Sequence, residues 1–533
     1  MQKRGKELNV TDKKDKAAVV ALLEKSADLG LCGIAIGEQY GGLDLDFNTG
    51  LLISENLSYG FSFATTLGAQ TSIGSLPIVY YGTDAQKQKY LPGIASAKLK
   101  ACYCLTEPGA GSDANSGRAS AILNDAGTHY MLTGQKMWIT NGGFADIFIV
   151  FAKIDDDKNL SAFIVEKDFG GISLGAEEHK MGIKGSSTVQ VFFDNCPVPV
   201  ENMLSERGKG FRIALNILNT GRIKLGASTN GGCRMAINKS LTYALERKQF
   251  DQPIAYFGAI QLKFARMASR TFVVDAAVYR TGKNIDLHTA YFKSQGLSEI
   301  KGSENADFAT DEAIQIHGGM GYATETGMEM GYRDARITRI YEGTNEINRL
   351  LSVAELTKRA MKNEIDLMGQ SKSIPAKIAK SFVPFTSGEK WGAETALVEN
   401  YKTCFLLLSG IAGKQLGKKL VEEQEIVLAL SDILSEAFIC ESALLKCQKL
   451  DRYKMGTEER RFIQETMMQF YFYNSISTVQ TAARDIINSF ATGATKRLLK
   501  TATNKLLNGY ELNPRDHVRA IAGFMIKNKS YDF

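Results

Sequence analysis

Apolar residues recur every three or four positions through most of this chain, which is the pattern of helices that bury one face. Near the N-terminus the pattern covers residues 17–23 and 50–57. After about residue 210 it returns at 213–218, 235–245, 261–277 and 307–316, and near the C-terminus at 426–445, 461–490 and 494–507. The sequence therefore predicts helical regions on both sides of a middle segment.

The middle segment has a different pattern, with short apolar runs bounded by clusters of Gly, Asn and Asp. The runs cover residues 129–133, 136–143, 147–151, 162–165 and 189–193. Runs of this length, with no long helical stretch between them, are typical of a small antiparallel β domain. A shorter apolar run at 103–105 leads into a Pro/Gly loop at 106–113.

These patterns predict an α+β protein. A chain of 533 residues exceeds the size of a single core, so we expect two to four packed units. We assign an N-terminal α-helical domain to residues 1–100, a middle β domain to 101–200, and a bundle of long helices to 201–357. Residues 358–392 are predicted to be a linker, and 393–533 a further C-terminal helical domain.

Composition excludes several classes of protein. Apolar residues make up 44% of the chain and charged residues 23%, with a net charge of +6 and no dense Lys/Arg stripe. These values indicate a globular protein with no nucleic acid partner. We expect no transmembrane helix and no signal peptide, because no apolar run is long enough for a bilayer or follows the basic N-terminus. A cytoplasmic protein in a bacterium, or a mitochondrial one in a eukaryote, fits these features.

Residues 374–385, within the linker, are both apolar and basic. Such a segment suits peripheral contact with a membrane surface. Two prolines argue against a long helix there and favour a packed loop. Both interpretations stay open.

The eight cysteines and five histidines do not form a recognisable metal-ligand spacing. Cys102 and Cys104 are predicted on one face of a strand, and Cys440 and Cys447 on one stripe of a helix. We expect reduced, mostly buried thiols and no metal site.

The candidate catalytic residue is Glu342, in the sequence Tyr341-Glu342-Gly343-Thr344. Apolar surroundings raise the pKa of a carboxyl group towards the range that a general base needs. Gly343 lets the backbone approach a flat ligand closely. The alternative is an ordinary helix start that Thr344 caps.

Two glycine-containing segments need separate interpretation. The glycines around Gly109 do not follow the spacing of a dinucleotide fingerprint, so we reject a Rossmann fold. Gly74 ends a small-residue segment that should lie within a helix. A ligand contact and a close helix crossing are about equally good explanations of that segment.

Four motifs together resemble the acyl-CoA dehydrogenase family. They occur in the family's order and spacing at 103–113, 138–142, 315–322 and 333–344, and the resemblance covers roughly residues 30 to 355. The additional C-terminal helices resemble the very-long-chain branch, whose members are homodimers. The resemblance implies an N-terminal α domain, a middle β domain and a four-helix domain at 201–357 that bind FAD between them.

The resemblance also implies the chemistry. Glu342 would remove the α-proton of a long-chain acyl-CoA while flavin N5 takes the β-hydrogen as hydride, giving the trans-2-enoyl-CoA of fatty acid β-oxidation. Hydrogen bonds to the thioester carbonyl would stabilise the developing charge. The electrons would pass to electron-transferring flavoprotein. An acyl-CoA oxidase using O2, or a catalytically minor member that assists assembly of a respiratory complex, are the alternatives.

Site residues follow from the same motifs, position by position. The cofactor-binding residues implied are Tyr103, Leu105, Thr106, Ser112, Trp138, Thr140, Arg247, Gln249, Phe250, Gln261, Gln315, Gly318, Gly319, Thr344 and Glu346. Those from Arg247 to Gly319 would come from the neighbouring subunit. The substrate-binding residues implied are Gly74, Ser112, Asn219, Arg222, Tyr341 and Gly343. For Arg222 the alternative is a helix salt bridge, and for Trp138 it is core packing.

Gly74 bears on chain length, since medium-chain relatives carry a bulky polar residue near that position. A glycine there would deepen the acyl pocket, and each buried methylene contributes about 0.8 kcal/mol. Two departures from the family pattern stand out. The family's usual first helix, before residue 13, is short or absent, and Glu346 replaces an amide or Asp.

Overall fold

The computed structural model describes residues 15–58, 62–287, 295–380 and 390–533. The basic N-terminus, the family's usual first helix and part of the candidate membrane segment, 381–385, lie outside these ranges. No helix in the described ranges combines the length and the apolar character needed to cross a bilayer. The chain divides into two compact units, residues 1–231 with 333–342 and residues 232–332 with 343–533. This number agrees with the two to four units predicted.

Within residues 15–58 and 62–95, the first unit has five α-helices. They are α1 (Lys16–Asp28), α2 (Phe47–Leu57), α3 (Ser62–Thr71), α4 (Leu76–Tyr81) and α5 (Asp84–Ala95). Polar caps fix several of their starts, since Asp15 accepts from the Ala18 N–H and Asp46 from the Thr49 N–H. Apolar faces of α1 and α3 meet in one buried cluster that includes Leu23.

An eight-stranded sheet follows. Its strands are β1 (Ala101–Cys104), β2 (Ser120–Leu123), β3 (His129–Thr140), β4 (Ile147–Ile154), β5 (Ser161–Glu166), β6 (Ile172–Leu174), β7 (Thr188–Pro199) and β8 (Met203–Leu204). The order is β6-β7-β3-β2-β4-β5-β8, and β1 pairs with β4. One face of β4 packs into a core with helices of the unit, through Ile149 and Phe151, and the other into a core within the sheet, through Phe148 and Val150. Burial on both faces explains its continuous apolar run.

The second unit is helical. The long helix α6 (Gly210–Glu246) enters it from the first unit, and a small hairpin of β9 (Lys248–Gln249) and β10 (Gln252–Pro253) follows. Its remaining helices are α7 (Gly258–Asp286), α8 (Gln295–His317), α9 (Gly319–Tyr322), α10 (Met328–Ala335, the last three residues in the first unit), α11 (Asn345–Met361), α12 (Leu367–Lys372), α13 (Ile374–Lys380), α14 (Gly392–Leu416), α15 (Gln424–Arg452), α16 (Glu458–Phe490), α17 (Gly493–Leu507) and α18 (Pro514–Asn528).

The predicted fold class is confirmed, with helices, then a sheet, then helices. Three details differ from the sequence patterns. The sheet is mixed, because β1 and β2 both run parallel to β4. The two runs at 129–133 and 136–143 belong to one strand, β3. The helix expected through Gly74 ends at Thr71, because the chain turns between α3 and α4.

The predicted domain boundaries stay a prediction. Within the stretch predicted as a linker, α12 and α13 are short helices of six and seven residues. All eight cysteines lie in the described residues, where each is buried and none is in a disulfide, as the sequence predicted.

Candidate active site around Glu342

Glu342 lies in the first unit in an unusual backbone conformation. Its φ of 60° is in the left-handed region, where a non-glycine residue is strained. Such strain costs on the order of 1–3 kcal/mol and occurs mostly at functional sites. The carboxylate packs on Gly221 of α6, where an added Cβ would lie 3.0 Å from both carboxylate oxygens. A glycine in the middle of this helix therefore makes room for the carboxylate.

The Arg222 side chain binds the main chain of Glu342. The Arg222 Nε donates to the Glu342 carbonyl oxygen at 2.7 Å, and a terminal nitrogen donates to Asn219 Oδ1 at 2.6 Å. Arg222 is buried, so these contacts are shielded from water. The predicted contacts of Asn219 and Arg222 with CoA stay a prediction.

Burial raises the pKa of Glu342 to about 7, although the positive charge of Arg222 opposes the shift. A carboxyl group with this pKa is ionised in about half of the molecules at neutral pH. It can therefore accept a proton there and return it. The sequence predicted this shift from the apolar neighbours of Glu342.

Two polar atoms near Glu342 have no partner among the described residues. They are Glu342 Oε2 and the Tyr103 hydroxyl, and both atoms are buried. Burial and the charge of Glu342 raise the pKa of Tyr103 well above its usual range. Unsatisfied buried polar atoms are rare and call for an explanation. A flat polar ligand beside the Tyr103 hydroxyl would supply its missing hydrogen bond and leave the Glu342 carboxylate free to accept a proton, so this site fits a flavin or a thioester.

The segment before Glu342 is fixed to the β domain. Asp334 accepts from the Ile183 N–H at 2.5 Å, and Arg333 donates to the Met181 carbonyl at 2.8 Å. Gly182 permits this approach, since a Cβ there would lie 2.3 Å from the Arg333 carbonyl oxygen. The Arg-Asp pair of the sequence motif therefore positions the chain that leads to Glu342.

A β-bulge presents Trp138 to solvent. The pairing of β3 with β7 shifts register between Lys136 and Ile139. Trp138 sits in this bulge with φ 60°, and 54% of its surface is exposed. Bulges redirect side chains next to functional sites. The alternative of core packing is wrong for Trp138, and its indole is available to cover a flat ligand.

The loop after β1 is attached to the same bulge. The Met137 N–H donates to the Thr106 carbonyl at 2.8 Å, which places Leu105 and Thr106 next to Trp138 in the sheet. Thr140 ends β3 and is partly buried, whereas Ser112 is exposed further along the loop. The structure thus places Leu105 and Thr106 beside the bulge that carries Trp138, with Thr140 two residues further along β3.

A buried ion pair between Lys136 and Glu107 contacts the main chain of this loop. Lys136 is fully buried, and its Nζ donates to Glu107 Oε1 at 2.7 Å, to the Phe151 carbonyl at 2.6 Å and to the Leu105 carbonyl at 3.2 Å. Glu107 also accepts from the N–H groups of Arg118 and Ala119. Every donor and acceptor of the pair thus has defined partners, which a buried ion pair requires.

In the second unit, a second set of the predicted cofactor-binding residues is exposed to solvent. The β9–β10 turn has Phe250 and Asp251 at positive φ, the arrangement of a tight two-residue hairpin. The Tyr243 ring stacks on His317 with centroids 4.3 Å apart. This contact brings together the ends of α6 and α8, and with them the exposed residues that follow each end: Arg247, Gln249, Phe250, Gly318 and Gly319. Gln315 is exposed two residues before the end of α8.

Gln261, Thr344 and Glu346 have defined places in the same unit. Gln261 is buried, donates to the Ala255 carbonyl and accepts from Arg519 of α18 at 2.5 Å. Thr344 is the N-cap of α11 and accepts from the Ile347 N–H, so the capping interpretation is also confirmed. Glu346 is exposed in the first turn of that helix. The cofactor roles of all three stay predictions.

Gly74 is packed against its own unit. An added Cβ would lie 3.0 Å from both the Ala101 Cβ and the Ala69 carbonyl oxygen. A close approach of the turn to β1 therefore explains this glycine without a ligand. Its predicted effect on the acyl pocket stays a prediction. Tyr341 and Gly343, which flank Glu342 in sequence, are partly buried.

Sequence reasoning missed several residues of the site. No role was assigned to Gly221, to the Lys136–Glu107 pair or to the anchor at Asp334. Gly221 had a signal, since a glycine inside a helical pattern is costly and implies a packing reason. The ion pair and the anchor had none, because they join residues 29 and 151 positions apart.

Comparison with known proteins agrees with this geometry. Models of the N-terminal, middle and C-terminal domains of acyl-CoA dehydrogenases match residues 4–98, 102–196 and 208–357, and a second C-terminal model matches 400–505. A probable acyl-CoA dehydrogenase of Bacillus subtilis is 40% identical over 531 residues, covering 96% of this chain and 89% of that protein. The chain belongs to the acyl-CoA dehydrogenase family. It is accordingly an oxidoreductase by family, as the four motifs predicted.

Two further proteins are similar to this chain. A rat mitochondrial very long-chain specific acyl-CoA dehydrogenase is 45% identical over 338 residues, which span 62% of this chain and 52% of that protein. A crystal structure of a Bacillus anthracis acyl-CoA dehydrogenase complexed with FAD has a TM-score of 0.94 at 39% identity and covers 99% of this chain and 92% of that one. The similarity thus includes the additional C-terminal helices as well as the common domains.

Proposed function

We propose that this chain is an FAD-dependent dehydrogenase that converts long-chain acyl-CoA to trans-2-enoyl-CoA, with Glu342 as the general base. The observation that carries the proposal is the Glu342 carboxylate. Its pKa is raised to about 7, its backbone is strained, and its Oε2 has no partner among the described residues. These are the properties expected of a base that is ready to receive a proton.

The residues of the first unit have separate tasks in the reaction. Arg222 and Gly221 fix the main chain and the carboxylate of Glu342, so that the carboxylate meets the α-carbon of a thioester in one orientation. Glu342 takes the α-proton, and the electrons of the broken C–H bond form the new double bond as the β-hydrogen leaves with its electron pair. FAD, when bound, supplies the acceptor for that hydride. Apolar surroundings exclude water from the base.

The cofactor position is supported by residues in both units. In the first unit we assign the flavin ring to the edge formed by Leu105, Thr106, Trp138 and Thr140, with the Tyr103 hydroxyl as an additional hydrogen-bond partner. We assign the ADP half to the exposed set of a second copy, which consists of Arg247, Gln249, Phe250, Gln315, Gly318 and Gly319. The resemblance supports Ser112 near the pyrophosphate. A homodimer is therefore part of the proposal.

Long-chain specificity rests on the similarity to very long-chain enzymes and on the additional C-terminal helices. Gly74 adds little to it, because close packing against Ala101 already explains that glycine. The acceptor proposed is electron-transferring flavoprotein, and the pathway is fatty acid β-oxidation. Both follow from the resemblance, as does a cytoplasmic or mitochondrial location.

The proposal is tested with purified protein and palmitoyl-CoA. Flavin absorption bands should be present and should bleach on anaerobic addition of the substrate. Glu342→Gln should keep these bands and lose at least 1,000-fold in reduction rate, because the amide cannot accept a proton. The matched control is Glu325→Gln, which replaces an exposed carboxylate outside the site. Near-normal reduction by the Glu342→Gln variant would remove Glu342 from the mechanism.

The same preparation separates the alternatives. Rapid reoxidation by O2 with hydrogen peroxide formation would indicate an oxidase, whereas rapid reoxidation only by electron-transferring flavoprotein would support the dehydrogenase. Flavin bands that no acyl-CoA between C4 and C20 can bleach would support a role in assembly of a respiratory complex. Sedimentation equilibrium would test the homodimer.

A further inference from the structure

A cavity of about 420 Å³ lies within the second unit, between α7, α8, α11, α15 and α16. Much of its wall is polar. The polar lining residues on α7 are Arg266, Ser269 and Arg270, and those on α8 are Lys301, Glu304 and Asn305. The apolar Val274 and Phe308 lie beside them. Arg266 and Arg270 are four residues apart, as are Lys301 and Asn305, so each pair lies on one face of its helix. Two partly polar helix faces thus line one cavity.

Most charges in the cavity are paired with each other. Arg349 donates to Asp432 at 2.8 Å and to Glu304 at 2.5 Å. Lys301 contacts Glu436 at 2.7 Å, and Tyr471 also donates to that carboxylate. Two of the four cationic side chains, Arg349 and Lys301, are therefore paired with the three carboxylates.

The other two cations, Arg266 and Arg270, have no carboxylate partner among the described residues. They are one helical turn apart and exposed, and the Arg270 guanidinium lies 4.0 Å from the centroid of the Phe308 ring. Like charges at this spacing repel each other, so an anion between them would be favourable. Two arginines one helical turn apart on the same face suit a phosphate group, which accepts several N–H donors at once.

Two buried polar atoms independently indicate a ligand. Ser269 and Asn305 are 1% and 3% exposed, and both line the cavity. Ser269 Oγ and Asn305 Oδ1 have no hydrogen-bond partner among the described residues, although the Asn305 amide nitrogen donates to Thr271 and Cys233 and so fixes the orientation of the group. A ligand that carries hydroxyl or amino groups would satisfy both atoms.

We propose that this cavity binds a phosphate ester of nucleotide size. Arg266 and Arg270 would hold the phosphate, Phe308 and Tyr471 would flank the body of the molecule, and Ser269 and Asn305 would hydrogen-bond to it. The volume lies within the usual range of small-molecule sites, about 300–1,000 Å³. None of the lining residues belongs to the proposed flavin or acyl-CoA sites, so this would be an additional site.

The test is calorimetric titration of the FAD-loaded protein with ADP, inorganic phosphate and adenosine in phosphate-free, low-salt buffer. ADP that binds instead at the proposed substrate site is recognised because its affinity does not change in the arginine variants described next. ADP should bind saturably, and Arg266→Gln and Arg270→Gln should each weaken it at least tenfold. Arg484→Gln, an exposed arginine of the same unit outside the cavity, is the matched control and should bind as the unchanged protein does.

Comparison of ADP with phosphate and adenosine distinguishes a nucleotide ligand from a simple phosphate anion. ADP binding that is much tighter than phosphate or adenosine binding supports a nucleotide. Equal affinity for ADP and phosphate, lost in both arginine variants, overturns the nucleotide-sized ligand and leaves an anion site only. No saturable binding, or binding that Arg266→Gln and Arg270→Gln do not weaken, overturns the site altogether. Flavin reduction by palmitoyl-CoA should be unchanged in both variants, so failure of this site and failure of the proposed reaction are distinguishable.

Discussion

Replacement of Lys136 by Met tests whether the buried ion pair holds the loop that carries Leu105 and Thr106. Burial lowers the pKa of Lys136, and the charge of Glu107 opposes that shift. Removal of the Lys136 ammonium leaves the buried Glu107 carboxylate with only main-chain N–H donors. The carbonyl groups of Leu105 and Phe151 also lose their hydrogen bond to Lys136. Loss of one member of a buried ion pair costs about 3–5 kcal/mol. We expect Lys136→Met to destabilise the first unit by that amount.

The assay uses an internal reporter. The chain has only two tryptophans, Trp138 and Trp391, and Trp138 is two residues from Lys136. In a Trp391→Phe background, urea unfolding followed by fluorescence therefore reports on the β domain alone. The matched control is Lys89→Met. It breaks an exposed pair with Glu166 at 2.7 Å and should cost less than about 1 kcal/mol.

A double variant separates the pair from its surroundings. Lys136→Met combined with Glu107→Gln should be less destabilising than the sum of the two single changes, because each single change leaves one buried charge unpaired and the double variant leaves none. A cost below about 1 kcal/mol for Lys136→Met alone would refute the reasoning. It would mean that the sheet holds the loop without the ion pair.

Three further predictions concern Glu342. The ionised form of Glu342 is the active base, so the rate of flavin reduction should rise with pH and level off above about pH 7. Stopped-flow measurements between pH 5 and 9 would check this, and a rate that does not change with pH would contradict the role of Glu342. Because its folded pKa lies above the usual value, the folded state binds the proton more tightly, and the stability of the fold should fall by at most about 3 kcal/mol as pH rises from about 4.5 to 7. This loss should be absent in Glu342→Gln. Gly221→Ala should move the carboxylate by a few tenths of an ångström and slow reduction about tenfold with no loss of thermal stability, whereas Gly232→Ala, with open space beside it on the same helix, should change neither. Equal rates in the two alanine variants would contradict the positioning role of Gly221.

Much of the fold was predictable because its elements follow local patterns. Helices such as α15 and α16 repeat apolar residues at helical spacing, and β4 is a continuous apolar run. The parallel pairing of β1 with β4 was not predictable, because partner choice depends on contacts between residues about 46 positions apart. The end of α3 before Gly74 depends likewise on the close approach of the turn to Ala101.

The site was predictable in part for the same reason. Glu342 and its neighbours form a continuous motif, and their apolar character indicated a raised pKa. The contact of Gly221 with Glu342 joins residues far apart in the chain, and only its cost within a helix was visible in the sequence. The left-handed conformation of Trp138 arises from the register shift between β3 and β7, which no local pattern specifies.

The hold of Arg222 on Glu342 has a consequence for how this scaffold can change. Arg222 donates to the main-chain carbonyl of residue 342, a group that every amino acid carries. The side chain at this position takes no part in that hydrogen bond. Evolution can therefore replace the base by a single codon change and keep the surrounding loop in place. A family built this way can give rise to members that retain the cofactor but no longer turn over substrate, or that perform a reaction with a different proton acceptor.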